Sequence, residues 1–314
     1  MSVVDSMEHY RSELVAYCYR YFGCYSEAED AVQETFVRAW KNTDTFEERS
    51  SLRRWLYAIA TNICLDMKKA AQRRYLPIDF SAAGEVPTNP SKLNVLPEAT
   101  WITPLNDSFC AEDPGEAAVL RDSVRLAFIA TLQLLPPRQR VTLILRDVLA
   151  WSAQECADLL GTTVASVNSA LARARNTISS HDRNCAEPYD EILLMNYVSA
   201  FEAYDVEKLV DLLSDDAKFS MPPYELWLQG KKSIENWWRG PGLVCQGSRT
   251  IITSANSQPA VAVYHHVAPG RWEPFAIHVL DIIGDKIAGI THFLGSAVFG
   301  EFGLPKQVAE AVET

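Results

Sequence analysis

Apolar positions near the start of the chain recur every three or four residues. In "SEAEDAVQETFVRAW" they fall at Ala28, Ala31, Val32, Thr35, Phe36, Ala39 and Trp40, the spacing of one helix face. Ser26 followed by Glu29 reads as a capping box opening this helix. "SLRRWLYAIATNICLDMKKAAQRR" predicts another helix after a short polar loop. Over residues 77–111 the periodicity stops at Pro77, Pro87, Pro90, Pro97 and Pro104, and the stretch reads as a linker. Trp101 and Phe109 within it predict that part of the linker docks on a folded body. Helical spacing resumes in "DPGEAAVLRDSVRLAFIATLQLL", "PPRQRVTLILRDVL", "SAQECADLLG" and a last helix ending near Arg183. After more helix in "YDEILLMNYVSAFEAYDVEKLVDLLS", the period changes to two in "AVAVYHHV", "PFAIHVLDII" and "KIAGITHFL". Gly284-Asp285 supplies a two-residue hairpin turn between the last two strands. This order predicts two all-α modules, 1–76 and 112–183, and a separate α+β domain over 187–314.

"GTTVASVNSALARARNTIS" has the layout of a helix-turn-helix. Such a motif needs a small residue where two helices cross, a glycine in the turn and an apolar anchor in the second helix. Ala157, Gly161 and Val167 stand at those places. Steps of roughly 100° per residue put Val164, Val167, Leu171, Ala174 and Ile178 on one side, which must be buried. Ser166, Ser169, Ala172, Arg173 and Asn176 then point outward, with Asn168 and Arg175 on the flanks. Short polar groups beside an arginine suit close approach to base edges and phosphates. A helical hairpin with a merely wet polar side has the same pattern.

The charge sharpens the question. The 314 residues carry net charge -11, which is unfavourable for holding a polyanion. Residues 1–76 have 11 acidic and 11 basic side chains, however, and 112–183 have 8 of each. The excess acid lies in the linker and in 184–314, with 17 acidic against 9 basic residues in the latter. Local clustering, rather than the total, governs phosphate contacts. No apolar run reaches the ~18 residues of a membrane span, and "MSVVDSMEHYRSELV" lacks a signal-peptide core, so a cytoplasmic location is expected. The seven cysteines are scattered with no CxxC pair and read as reduced core residues; neither metal nor cofactor is expected.

"DAVQETFVRAW", then "SLRRWLYAIATNICLDMKK", then at a distance "LPPRQRVTLILRDVLAWSAQECADLLGTTVASVNSALARAR" resemble a sigma-70 family RNA polymerase sigma factor of the extracytoplasmic-function (ECF) class. The resemblance covers regions two and four, with the linker in place of region three. It implies that Asp30, Gln33, Glu34 and Arg38 bind the β′ clamp helices of core RNA polymerase, and that region four meets the β flap. It implies that "FEERSSLRRWLYAIATN" melts and reads the minus-ten element, with Phe46, Arg49, Ser50, Ser51, Arg53, Arg54 and Asn62 as candidates. Aromatic and basic groups together capture an unstacked base, worth ~1–3 kcal/mol of stacking. Trp55 shares a face with Ile59 and reads as core. Lys68, Lys69, Arg73 and Arg74 form a basic end suited to upstream phosphates. For the minus-thirty-five element the resemblance points to Asn168, Ser169, Ala172 and Arg173. Many ECF factors are basic where this chain has Asn168 and Ala170, which implies weaker phosphate contact.

The C-terminal stretch resembles a SnoaL-like domain of the NTF2-like superfamily, a cone of helices and curved sheet, and the whole layout resembles the SigG-like group. That resemblance implies modulation of the sigma modules in cis, by a small-molecule or protein effector. His278 and Asp281, three apart on one strand, fall on opposite faces, whereas His278 and His292 share a face across the hairpin. Trp227, Trp237, Trp238 and Tyr264 are candidate walls of a cavity there, and no catalytic residue is assigned. Two alternatives stay open: a ligand-sensing helix-turn-helix regulator, and an NTF2-like enzyme with a DNA-binding appendage. The first leaves "DAVQETFVRAW" without a task.

Overall fold

The computed structural model describes residues 6–43, 51–67, 73–89, 91, 93–110, 117–179 and 191–309. The chain divides into two compact units: Met1–Arg74 with Ile102–Cys185, and Tyr75–Trp101 with Ala186–Thr314. The proline-rich stretch is therefore not one spacer. Its first part is built into the C-terminal unit and the rest into the helical unit, where Phe109 lies 5.3 Å from the Tyr25 ring.

The helical unit is organised around α1 (Arg11–Phe22), buried at every residue from Leu14 onward. A helix enclosed on all sides has neighbours on all sides. α2 (Tyr25–Lys41) and α3 (Leu52–Asp66) pack on it, as do α5 (Leu126–Leu132) and α6 (Pro137–Leu143) from the later module, which α4 (Ala117–Asp122) precedes. Gly23, at φ +68°, ends α1 in the left-handed conformation and donates its N–H to Tyr19 O at 2.7 Å. Within this core the Tyr17 hydroxyl and Thr61 Oγ1 are 2.7 Å apart, and the Cys64 thiol lies 3.8 Å from Cys18 Sγ. Burial pushes the Cys64 thiol well above its usual value, so it packs as a small apolar group.

Two expectations about α2 are corrected. The helix begins at Tyr25 after Cys24, so Ser26 sits in the first turn and caps nothing; Glu29 instead pairs with Arg11 at 2.7 Å. Trp40 is 62% exposed rather than part of the buried stripe. It lies roughly 130° from the axis defined by Ala28, Ala31, Val32 and Thr35, where Ala39 already takes the inner place.

Arg140 joins the two modules. It is 3% exposed, has no carboxylate partner among the described residues, and is satisfied by backbone carbonyls. Nη1 donates to Tyr21 O at 2.5 Å, Nε to Leu132 O at 2.9 Å, and Nη2 to Gln133 O and Leu135 O, both at 3.2 Å. The guanidinium also stands 5.3 Å from the Tyr21 ring centroid. Burial lowers its pKa to about 10, which still leaves it charged at neutral pH. Arg20, equally buried, reaches the other way to Ser123 Oγ at 2.8 Å and Leu120 O at 3.1 Å.

The C-terminal unit lays α9 (Glu191–Ala203), α10 (Val206–Asp211) and α11 (Lys231–Trp238) against a mixed sheet. Its strands are β1 (Leu213–Ser220), β2 (Trp227–Gln229), β3 (Arg249–Ala255), β4 (Gln258–Ala268), β5 (Arg271–Ile283), β6 (Lys286–Leu294) and β7 (Val308–Ala309). They run in the order β2-β1-β6-β5-β4-β3, with β7 on β5, and only β1 and β6 pair in parallel. Bulges in β4 and β5 curve the sheet. α12 (Ala297–Glu301) precedes β7. The expected turn at Gly284-Asp285 is present, with Ile283 paired to Lys286.

His278 and His292 are direct cross-strand partners, and their rings stack at 3.6 Å and 10°. Tyr197 OH lies 2.9 Å from His278 Nδ1, and Phe219 covers His292 at 4.5 Å. The Nε2 atoms of His278, His292 and the nearby His265 are buried with no hydrogen-bond partner. Burial, reinforced by the neighbouring imidazoles, holds His278 well below its usual pKa; burial alone lowers His292 to about 3 and His265 to about 4.

Two outcomes follow from this packing. Arg140→Met should destabilise the helical unit by about 3 kcal/mol or more, because it strands buried carbonyls, and denaturant titration would register this. The histidines take up protons more readily when unfolded. Their contribution to stability is therefore complete above ~pH 6.5 and drains away as pH falls toward the folded values. Melting of the C-terminal unit should drop between pH 7 and 4, and His292→Phe should make the fall shallower.

Candidate nucleic-acid interface

The helix-turn-helix comprises α7 (Ala153–Leu159) and α8 (Val164–Ser179). Ser152 and Glu155 form a true capping box at the start of α7, which the sequence reading did not identify. The Ser152 backbone N–H, donating to Glu155, holds that carboxyl below its usual pKa. Gly161 turns the chain at φ +57°, with nothing within 4 Å of an added Cβ, so backbone conformation rather than crowding requires glycine. Thr163 Oγ1 then accepts from Ser166 N at 3.2 Å and caps α8.

α8 divides as its periodicity predicts. Val167, Leu171, Ala174 and Ile178 are buried, while Ser166, Asn168, Ser169, Ala172, Arg173 and Asn176 are exposed. Arg173 donates to Ser169 Oγ at 2.7 Å, which orders it along the outer surface. Arg175, on the flank, is bound by Asp147 through contacts of 2.6 and 2.9 Å.

In the first module, Asp30, Gln33 and Glu34 are exposed on α2, with Arg38 paired to Glu34 at 2.7 Å. Val37 and Trp40 add exposed apolar surface to the same helix. Arg38, Asn42, Trp55, Ile59 and Asn62 line a cleft of about 230 Å³ between α2 and α3. Trp55, expected in the core, is half-buried and forms one wall of it. The cleft thus brings an indole edge, a guanidinium and two amides together, on the scale of one planar group rather than a drug-sized ligand.

Other candidates have different fates. Ser51 caps α3, accepting from Arg54 N at 3.3 Å. Arg53 binds Glu13 at 2.8 Å and stands over Tyr57. Arg54 forms an ion pair with Glu155 of the capping box. Arg73 is exposed. Arg74 is corrected: it is 5% exposed and bound to Glu27 at 2.9 Å, so its charge is spent inside the protein. Phe46, Arg49, Ser50, Lys68 and Lys69 lie outside the described residues.

The C-terminal candidates do not form one wall. Trp237 and Trp238 belong to the core beside Phe219, which contacts His292. Trp227 instead donates its indole N–H to Ser81 O at 2.8 Å. Tyr264 turns to the C-terminal tail, donating to Pro305 O at 3.1 Å and meeting Phe299. Among the described residues there is no group of three or more His, Cys, Asp or Glu arranged to hold a metal, and no helix long and apolar enough to cross a membrane.

Comparison with known proteins matches both helical modules to one family. Residues 7–74 fit the model of sigma-70 region 2, and residues 125–178 that of sigma-70 region 4. ECF RNA polymerase sigma factor SigG of Mycobacterium tuberculosis is 43% identical over 310 residues, covering 95% of this chain and 82% of that protein. SigJ of the same organism is 29% identical over 222 residues, 69% of this chain and 64% of SigJ. The crystal structure of an M. tuberculosis extracytoplasmic function sigma factor SigJ covers 96% of this chain and 100% of its own, with TM-score 0.62 at 22% identity, and so shares the fold. With both sigma regions in order and a relative this similar along nearly its whole length, the chain belongs to the extracytoplasmic-function family of RNA polymerase sigma factors.

Proposed function

We propose that this sigma factor seats the exposed side of α2, through Asp30, Gln33, Glu34 and Arg38, on the β′ clamp helices of core RNA polymerase. Val37 and Trp40 supply the apolar centre of that contact, and region four meets the β flap. The cleft of Asn42, Trp55 and Asn62 receives an unstacked minus-ten base, with Ser51, Arg53, Arg54 and Arg73 beside the strand. The outer side of α8 reads the minus-thirty-five element through Ser166, Asn168, Ser169, Ala172, Arg173 and Asn176.

The single observation that carries this reading is the division of α8: its inward side is buried while its small polar and cationic outer side is free of packing. A chain without excess positive charge over these modules binds DNA weakly by itself, so core polymerase supplies most of the affinity. The site of action is the cytoplasm, where the polymerase works. The C-terminal domain acts on the sigma modules rather than as a catalyst. The Asp–His acid–base couple used by some NTF2-like enzymes is not formed at His278, whose Nδ1 lies 2.9 Å from the Tyr197 hydroxyl.

Run-off transcription with purified core polymerase tests this reading. The chain should confer initiation at promoters bearing both elements, and Arg173→Ala should cut discrimination at minus-thirty-five by about 1–3 kcal/mol. No initiation at any promoter would refute the proposal. An equal loss on intact and minus-thirty-five-mutated promoters would refute the role of Arg173.

A further inference from the structure

Two arginines stand two residues apart on α8, and their surroundings differ. With ~100° between successive residues, Arg175 lies ~70° from the centre of the buried side formed by Val167, Leu171, Ala174 and Ile178. Arg173 lies ~130° from that centre, on the opposite flank. After α6 the chain widens into one π turn, Ile144–Val148, where Leu149 N donates to Ile144 O at 3.0 Å. Such a turn takes up one extra residue, and Asp147 within it meets Arg175. Asp147 occupies the side-on fork of that guanidinium. Nε donates to Oδ2 at 2.9 Å, and Nη2 donates to Oδ1 at 2.6 Å. A base edge with two acceptors needs two such parallel donors, and an uncharged edge is a weaker acceptor than a carboxylate.

Arg173 is held differently. Among the described residues, the hydrogen bond of its guanidinium runs from Nη1 to Ser169 Oγ, one helical turn back, at 2.7 Å. Both side chains are exposed. The bond leaves Nε and Nη2, the fork that Asp147 takes on Arg175, for a partner outside the chain. It also selects among the rotamers of a long side chain, so less freedom is lost when the fork meets its target. The Ser169 hydroxyl, by accepting from Arg173, is committed along the helix rather than to a base. In the major groove, O6 and N7 of guanine present two acceptors on one edge.

We infer, resting on the promoter reading proposed above, that Ser169 is a positioning residue. It presents the fork of Arg173 to a guanine of the minus-thirty-five element, while Asp147 keeps Arg175 out of base reading. Ser169 thus biases promoter choice without touching a base. Of the two arginines, Arg173 carries sequence information and Arg175 carries charge alone.

A promoter library tests this division. Templates randomised across the minus-ten and minus-thirty-five elements, each barcoded in its transcript, are transcribed by core polymerase carrying this chain, and the transcripts are sequenced. Arg173→Ala should erase a guanine preference at one position. Ser169→Ala should weaken that same preference about fivefold, on the scale of one hydrogen bond, and Ser169→Thr, which keeps the hydroxyl, should restore it. Arg175→Gln should leave every base preference as in the wild type. Ser169 is exposed and alanine favours helix, so Ser169→Ala keeps the fold, which thermal melting verifies. A Ser169→Ala profile identical to the wild type would overturn the inference. So would a preference lost at a different position, which would make Ser169 itself a base reader, or one lost with Arg175→Gln. If Arg173→Ala alters no preference while the wild type initiates, the assignment of α8 to the minus-thirty-five element fails instead.

Discussion

Two buried guanidiniums, those of Arg140 and Arg20, bind the two helical modules into one body, and Arg140 makes the larger set of bonds. Arg140 is paired with no carboxylate among the described residues and depends on carbonyls from Tyr21, Leu132, Gln133 and Leu135. Such an arrangement tolerates little displacement, because each lost bond leaves a desolvated group behind. Around this anchor, arginines at the surface of the two modules are held by carboxylates of the same chain: Arg53 by Glu13, Arg54 by Glu155, Arg175 by Asp147. These partly exposed pairs are individually weak, and a polyanion held in place by polymerase competes with them effectively. The charge balance of the helical modules thereby acquires a physical meaning. Several of their cations, among them Arg53, Arg54 and Arg175, are neutralised within the chain.

Much of the reading side was legible in the sequence because a surface helix must repeat its apolar residues at helical spacing. Val167, Leu171, Ala174 and Ile178 declared the buried side of α8, and the exposed candidates followed by elimination. Periodicity was silent where a helix is enclosed, as in α1, which is buried all round. Short-range patterns misled where a second partner decides. Ser26-x-x-Glu29 has the letters of a capping box, yet Arg11 takes Glu29, while the real box is Ser152 with Glu155. Arg73 and Arg74 are indistinguishable as letters, and only the position of Glu27 turns one inward. The cleft wall at Trp55 was missed because sharing a face with Ile59 does not reveal how deep that face lies.

The C-terminal domain shows the same limit over longer distances. β5 and β6 were visible from alternation, whereas β1 carries Asp215 and Asp216 and β3 lies at the sheet edge, so neither alternates cleanly. The segment Tyr75–Trp101 was unreadable as a docked element because its partners, Pro223 and Trp227, lie more than 120 residues further on from Trp101 and Ser81. Proline spacing reports only that the segment cannot be helical. Inside the C-terminal unit, stacked histidines fill space next to Tyr197 and Phe219.

Taken together, the contacts describe a helical unit in which sigma regions two and four pack on one another. The distance between fluorophores placed at exposed Lys41 and Ser179 reports directly on this state. It should be short in the free protein and lengthen by several tens of ångströms when core polymerase and a two-element promoter are added. An equal distance in the free chain and in a complex that is making RNA would contradict it.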